Sequence, residues 1–138
     1  FSTGLLCRAM GRPTPELFQA ALRVLGYLYR NRHIGLRYEA SDQSLEGFSD
    51  SDWAVKHSTS GFTFHLGSAT VSWSSKKQTT VALSSCEAEI MAGSEAAKEA
   101  IYLSSFLREL GLDMSKPPPL KLDNKSAIDL AYNKAQAK

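Results

Sequence analysis

The sequence predicts an α/β protein, a mixed sheet with helices packed on it, in the order β-β-β-α-β-α. Three observations predict it. Runs of alternating apolar and polar residues crowd into 45–74, helical periodicity fills 84–110, and a short strand-like run at 120–123 precedes a last helical segment.

The elements follow in order. Pro13 to Arg32 reads as a helix, with Thr14 as N-cap, Pro15 at the first helical position and Glu16 in the first turn. Leu17, Ala20, Ala21, Val24, Leu25 and Leu28 then recur at helical spacing, and Asn31 and Gly35 bracket the end. Ile34, Leu36 and Tyr38 alternate with Gly35 and Arg37, which predicts a short strand, and Ala40 to Ser44 reads as a loop. Leu45 to Trp53, Gly61 to Leu66 and Ala69 to Ser74 read as a three-stranded antiparallel meander. Gly67-Ser68 is its two-residue hairpin signal. Lys76, Lys77 and Gln78 lead into a long helix, which Ser84 and Glu87 open in a capping-box pattern. Ala88, Met91, Ala92, Ala96, Ala100, Leu103 and Leu107 form its stripe, and it runs to Leu110 with Gly111 as C-cap. Pro117 to Pro119 separates it from a strand over Leu120 to Asp123, and Asn124 to Tyr132 reads as another helix.

Composition sets outer bounds. A chain of 138 residues with 43% hydrophobic and 22% charged residues is an ordinary single globular domain, which excludes a disordered tail, a collagen-like fibre and a disulfide-dense mini-protein. No apolar run approaches the roughly 20 residues that span a bilayer. FSTGLLCRAM is too short and too polar for a secretory signal, and with no initiator Met the chain reads as a piece of something longer. A net charge of +2 is too small to argue nucleic-acid binding by itself. Cys7 and Cys86 match no metal spacing and read as free thiols of a reducing compartment.

Three acidic residues stand where catalytic carboxylates often stand. Asp50 lies toward the end of the first meander strand, Glu89 in the first turns of the long helix, and Asp123 at the end of the fourth strand, just before a helix. If the first and fourth strands are neighbours, Asp50 and Asp123 converge at one sheet end, within reach of Glu89. Carboxylates forced together repel unless a cation neutralises them. An all-oxygen donor set suits Mg²⁺ or Mn²⁺. Two such ions about 4 Å apart activate a water and stabilise the leaving oxygen of a phosphodiester. Taken singly, each acid also fits a solvated surface group.

The strings GFSDSDWA, STSGFTFHLGSATVSWSSKKQTTVALSSCEAEIMAGSEAAKEAIYL and KLDNKSAIDLAYN resemble the ribonuclease H domain of copia-type retrotransposon Pol polyproteins. The likeness covers Leu45 to Asn133, and the block from SWSSKKQ to SEAAKEA is a signature of that group. The preceding helical segment resembles the piece that joins the reverse transcriptase to that domain. The resemblance implies a ribonuclease H-like fold, with 1–40 as a helical linker from the reverse transcriptase region and 41–138 as the ribonuclease H-like domain. It implies metal-dependent hydrolysis of the RNA strand of RNA–DNA hybrids during reverse transcription. Asp50, Glu89 and Asp123 fall on the family's catalytic and metal-holding acids, with two Mg²⁺ ions as cofactor and Mn²⁺ as substitute. Asp52 and Glu87 are neighbouring acids outside that set. The implied partners are the hybrid and the reverse transcriptase of the same polyprotein, with no membrane. The implied location is the cytoplasmic virus-like particle, with nuclear entry of the product.

The substrate side is thinner. Ser84, Ser85, Asn124 and Ser126 occupy places where this family grips the RNA strand, while Cys86 is a weaker donor than a hydroxyl would be. Lys76 and Lys77 fit a phosphate contact or a solvated basic turn equally well. Trp53 and Trp73 are expected in the core, and Arg23, Arg30 and Arg32 on a solvated helix face. The chain departs from the family's pattern at its end. No Asp or Glu follows Asp129, whereas the family has a fourth carboxylate beyond this point, with a His loop, a last strand and a last helix. The expectation is a weakened second metal position. An alternative function follows from it: a catalytically impaired relic or co-opted fragment that binds nucleic acid or another partner.

Overall fold

The computed structural model of the chain describes residues 1–39 and 44–133. It divides into two units, Phe1–Arg37 and Tyr38–Lys138. The first holds α1 (Ser2–Arg8) and α2 (Pro15–Arg30). Thr14 caps α2 by accepting from the Leu17 N–H at 3.4 Å, and Pro15 opens the helix as expected. Neither helix has a buried residue. α1 was not foreseen; STGLLCR is too short to show a periodic stripe.

The second unit is a mixed α/β fold. Its four-stranded sheet has the order β3-β2-β1-β4. β1 (Leu45–Asp52) pairs antiparallel with β2 (Thr59–Leu66), which pairs antiparallel with β3 (Ala69–Lys77). β1 pairs in parallel with β4 (Leu120–Lys121) through Gly47↔Leu120 and Phe48↔Lys121. α3 (Ser85–Glu109) lies between β3 and β4 in the chain, and α4 (Lys125–Tyr132) follows β4. The two-residue turn between β2 and β3 places Gly67 at φ +59°, a region open to glycine at no steric penalty.

α3 packs on one face of the sheet, over β1 and β2. Its inward stripe is Ala88, Glu89, Ala92, Ala96, Ala100, Leu103 and Leu107. Small residues let the helix backbone approach the sheet closely, and Phe64, fully buried, fills the space between them. Gly47 is required there: a Cβ on it would stand 2.4 Å from Cε1 of Phe64. The helix ends in a Schellman motif. The Gly111 N–H donates to Arg108 O, the Leu112 N–H donates to Leu107 O, and Gly111 takes φ +88°.

Several expectations fail for identifiable reasons. Ile34 to Tyr38 form no strand; the side chains of Ile34, Leu36 and Tyr38 are exposed, and the segment joins no ladder. Alternation alone does not make a strand without a partner edge. β4 is only two residues long, so Leu122 and Asp123 lie beyond it. β3 runs on to Lys77, so Lys76 and Lys77 end the strand rather than follow it. Trp73 is not core: it is 66% exposed. The register moves from Phe64↔Ser72 to His65↔Thr70, leaving Val71 as an extra bulged residue. Past that bulge Ser72 faces α3, where its hydroxyl donates to Glu99, and Trp73 turns to the opposite face beside Thr63. Trp53 is also half exposed, held by its indole N–H donating to Ala82 O at 3.2 Å. Most of the loop read at Ala40 to Ser44 lies outside the described residues.

Candidate metal centre

The parallel pairing of β1 with β4 decides where the acids meet. Gly47 and Phe48 take the two residues of β4 as partners, so Asp50, still in β1, and Asp123, just past β4, come side by side beyond that ladder. Glu89 comes down from the second turn of α3. Its helix start is fixed by Ser84, whose Oγ accepts from the Glu87 N–H at 3.1 Å, while the Glu87 carboxylate accepts from the Leu83 N–H at 2.7 Å. Asn124 caps α4 by accepting from the Ala127 N–H at 3.0 Å, which turns the chain sharply just after Asp123.

Carboxylate oxygens of Asp50, Glu89 and Asp123 all lie within 4.8 Å of one another. Asp50 and Asp123 are exposed; Glu89 is buried, 5% exposed. Among the described residues no Lys or Arg forms an ion pair with any of the three. What ties two of the three together is Ser51. Past the short β4 ladder its N–H has no strand partner, and it donates to Asp50 Oδ1 at 2.8 Å and to Glu89 Oε1 at 3.0 Å. Its hydroxyl donates to the same Glu89 Oε1 at 2.8 Å. Burial pushes the Glu89 carboxyl above its ordinary value, and the Asp50 and Asp123 charges push the same way, against the Ser51 hydrogen bonds.

The second oxygen of that carboxylate decides the chemistry. Glu89 Oε2 is buried with no hydrogen-bond partner among the described residues. A buried carboxylate oxygen without a donor is strongly unfavourable in a folded protein. It stands beside two further carboxylates, and among the described residues none of the three acids is ion-paired with a Lys or Arg. That donor set is all oxygen and carries excess negative charge, the coordination a hard divalent cation prefers. The residues present therefore fit a divalent cation.

The other sequence-predicted residues lie at different distances from this centre. Asp52 and Glu87 are exposed and outside the cluster. Lys76 and Lys77 are exposed and line a cavity with Ser60, Gln78, Thr79 and Met91, beside α3. Ser85 and Ser126 are exposed in the first turns of their helices, and the Asn124 side-chain oxygen is engaged in its cap. An open cleft beside Asp50 and Asp123 runs over Phe48, Phe62, Thr63 and Ser74, with Lys121 on its rim. Lys121 pairs with Glu46 at 2.7 Å and lies 4.8 Å above the Phe48 ring. Sequence reasoning missed Ser51. It sits between two acids in SDSD, and no spacing rule marks a residue whose backbone and side chain both donate to a distant carboxylate.

No protein-family model matches the chain, and no solved structure matches it. Curated relatives do. A secreted RxLR effector protein, number 161, of Plasmopara viticola is 46% identical over 108 residues, 75% of this chain and 76% of that protein. The retrovirus-related Pol polyprotein from transposon TNT 1-94 of Nicotiana tabacum is 38% identical over 136 residues, 96% of this chain. The corresponding polyprotein from transposon RE1 of Arabidopsis thaliana is 36% identical over 138 residues, again 96% of this chain. The chain spans 10% and 9% of those two polyproteins.

Proposed function

Because the chain belongs to the family of retrovirus-related Pol polyproteins of copia-type transposons, we propose that it is a ribonuclease H-like domain that hydrolyses the RNA strand of RNA–DNA hybrids with a divalent metal. The observation that carries this reading is the unpartnered, buried Glu89 Oε2 inside a cluster of three carboxylates. Asp50, Glu89 and Asp123 would hold Mg²⁺, with Mn²⁺ as substitute and two ions as the full complement. Bound there, the metal supplies Lewis-acid activation of an attacking water and neutralises charge that develops on the phosphate.

The rest of the chemistry belongs to the chain's own residues. Ser51 holds the Glu89 carboxylate through its N–H and its hydroxyl and ties it to Asp50. Burial and the neighbouring Asp50 and Asp123 charges raise the Glu89 carboxyl, and a cation bound there would offset that repulsion. The cleft over Phe48 and Thr63 leads to Asp50 and Asp123 and offers an apolar floor with Lys121 at its edge. Lys76 and Lys77, exposed at the end of β3 in the cavity beside α3, provide positive charge for phosphates. Ser85, Asn124 and Ser126 stand at helix starts near the two strand ends, as contacts to the RNA strand. In this reading 1–40 is the linker from the reverse transcriptase region and 41–138 the ribonuclease H-like domain. The partners are the hybrid and that reverse transcriptase, in cytoplasmic particles and then the nucleus.

One finding favours a second reading. The effector protein of Plasmopara viticola matches 108 residues of the chain at 46% identity, and this chain spans 76% of it. A stretch related to the polyproteins thus also occurs in a protein of this size class with a different designation. In that reading the chain is a catalytically impaired, co-opted module that binds nucleic acid or a protein. Cleavage of an end-labelled RNA–DNA hybrid by the chain in Mg²⁺ and in Mn²⁺, beside Asp50→Asn, separates the two. The nuclease reading expects RNA-strand products from the wild type and none from Asp50→Asn. A folded chain that retains the hybrid and cuts it in neither metal supports the co-opted module and contradicts the nuclease.

A further inference from the structure

Gln78 is the most buried amide side chain near the metal centre, and nothing in the proposed chemistry uses it. It is 7% exposed and sits just past β3. Its N–H donates to Ser58 O at 2.8 Å, which extends the β2–β3 ladder by one bond. Its Nε2 donates twice, to Ser60 Oγ at 2.9 Å and to Ala88 O at 3.0 Å. Ala88 O can only accept, so the nitrogen of the amide must face it. That leaves Oε1 buried with no partner among the described residues. A buried amide that gives up one of its acceptor positions is held in place for its donors.

Both donors lead to Glu89. Ala88 is its neighbour in the first turns of α3, so the bond from Gln78 pins the helix at the height where the carboxylate projects. Ser60 is the cross-strand partner of Ser51, which donates to Glu89 Oε1. The contacts close into a ring: Ser51 to Glu89, along the helix backbone to Ala88, through the Gln78 amide to Ser60, and across the ladder back to Ser51. Ser51 ties Glu89 through one carboxylate oxygen, and one tie point leaves this end of the helix free to rotate about it. A closed ring does not, because any shift of α3 must break a bond on one side or the other.

We propose that Gln78 is a positioning residue for the metal centre, fixing the Glu89 carboxylate over the sheet through Ala88 and Ser60. This rests on the metal-binding reading only for its effect on affinity; the placement of Glu89 is measurable without metal. Partners one shell out from a metal typically govern affinity by about 10–100-fold.

The test is Gln78→Met in the full chain, which keeps length and burial and removes both donors. Amide hydrogen exchange is read at Ser51 and at Phe64 in EDTA, and Mn²⁺ affinity by calorimetry. The expected result is Ser51 exchange faster by about tenfold or more, with Phe64 protection unchanged, and Mn²⁺ affinity lower by about tenfold. In a Glu89→Gln background the same substitution leaves the residual Mn²⁺ affinity unchanged, because its effect travels through Glu89. Unchanged Ser51 exchange overturns the proposal. So does equal loss of protection at Ser51 and Phe64, which marks a general loosening. If Gln78→Met does not fold, Ser60→Ala removes one anchor and must move Ser51 exchange in the same direction, and no change there also overturns it. A wild type that binds no Mn²⁺ sinks the metal reading, while the exchange data still decide the positioning role.

Discussion

α2 and α3 are built on opposite plans. α2 separates its apolar and polar residues sharply, yet none of its side chains is buried, and Phe18, Leu22, Leu25 and Leu28 are exposed. α3 carries Ile101, Tyr102 and Phe106 on its exposed side and, Glu89 apart, only small or aliphatic residues inward, yet its inward stripe is buried from Ala88 to Leu107. Amphipathic pattern measures how apolar residues are sorted around a helix. Burial depends on having a surface that fits, and the alanines of α3 fit the sheet because Gly47 and Phe64 shape it. The contrast also places the chemistry. The helix with the well-packed stripe is the one that can hold a carboxylate such as Glu89 in a buried position.

Substitutions sharpen that contrast, beginning in the core. Phe64→Ala removes the largest fully buried side chain and is expected to cost about 3–5 kcal/mol of stability by urea denaturation. Gly47→Ala drives a methyl into the ring of Phe64, which has no room to yield, and is expected to cost about 1–3 kcal/mol. The helix caps give a matched pair. Ser84→Ala and Thr14→Ala each remove one cap bond, worth about 1 kcal/mol. Ser84→Ala should lower the urea midpoint of the sheet unit, whereas Thr14→Ala should lower helical circular dichroism and leave that midpoint in place. A shift of equal size from both would erase the distinction between the two helices. Leu25→Ser is expected to change the stability of the sheet unit by less than about 0.5 kcal/mol.

The site makes a prediction with a direction in pH. Burial raises the Glu89 carboxyl above the ordinary 4.5. Between that value and the raised one the folded chain holds a proton that the unfolded chain has released. Stability therefore falls as pH rises through this window. In EDTA, urea midpoints of the wild type should decline over it, while Glu89→Gln should show a smaller decline. Equal pH dependence of the two proteins would remove Glu89 as the strained group.

Much of this was legible in the sequence, because the signals were local. Thr14, Ser84, Asn124 and Gly111 mark helix ends by chemistry that acts within a turn, and each is found at its helix boundary. The meeting of Asp50, Glu89 and Asp123 followed from one condition, that the first and fourth strands are neighbours, and they are. What escaped was non-local. Val71 looks like a regular member of an alternating strand, and only its pairing with β2 reveals the bulge that turns Trp73 outward. Ile34, Leu36 and Tyr38 alternate well but pair with no strand. Ser51 and Gln78 read as an ordinary serine and a linker glutamine, since their partners lie on another element.

The proposed function stands on Asp50, Glu89 and Asp123 together holding a divalent cation. Thermal unfolding of the chain in EDTA, in Mg²⁺ and in Mn²⁺, beside Glu89→Gln, tests it most directly. A ligand that binds only the folded state raises the midpoint as its concentration rises. The expected midpoint climbs with Mg²⁺ and with Mn²⁺ in the wild type and stays flat in Glu89→Gln. A wild-type midpoint that is the same in EDTA and in both metals would contradict it.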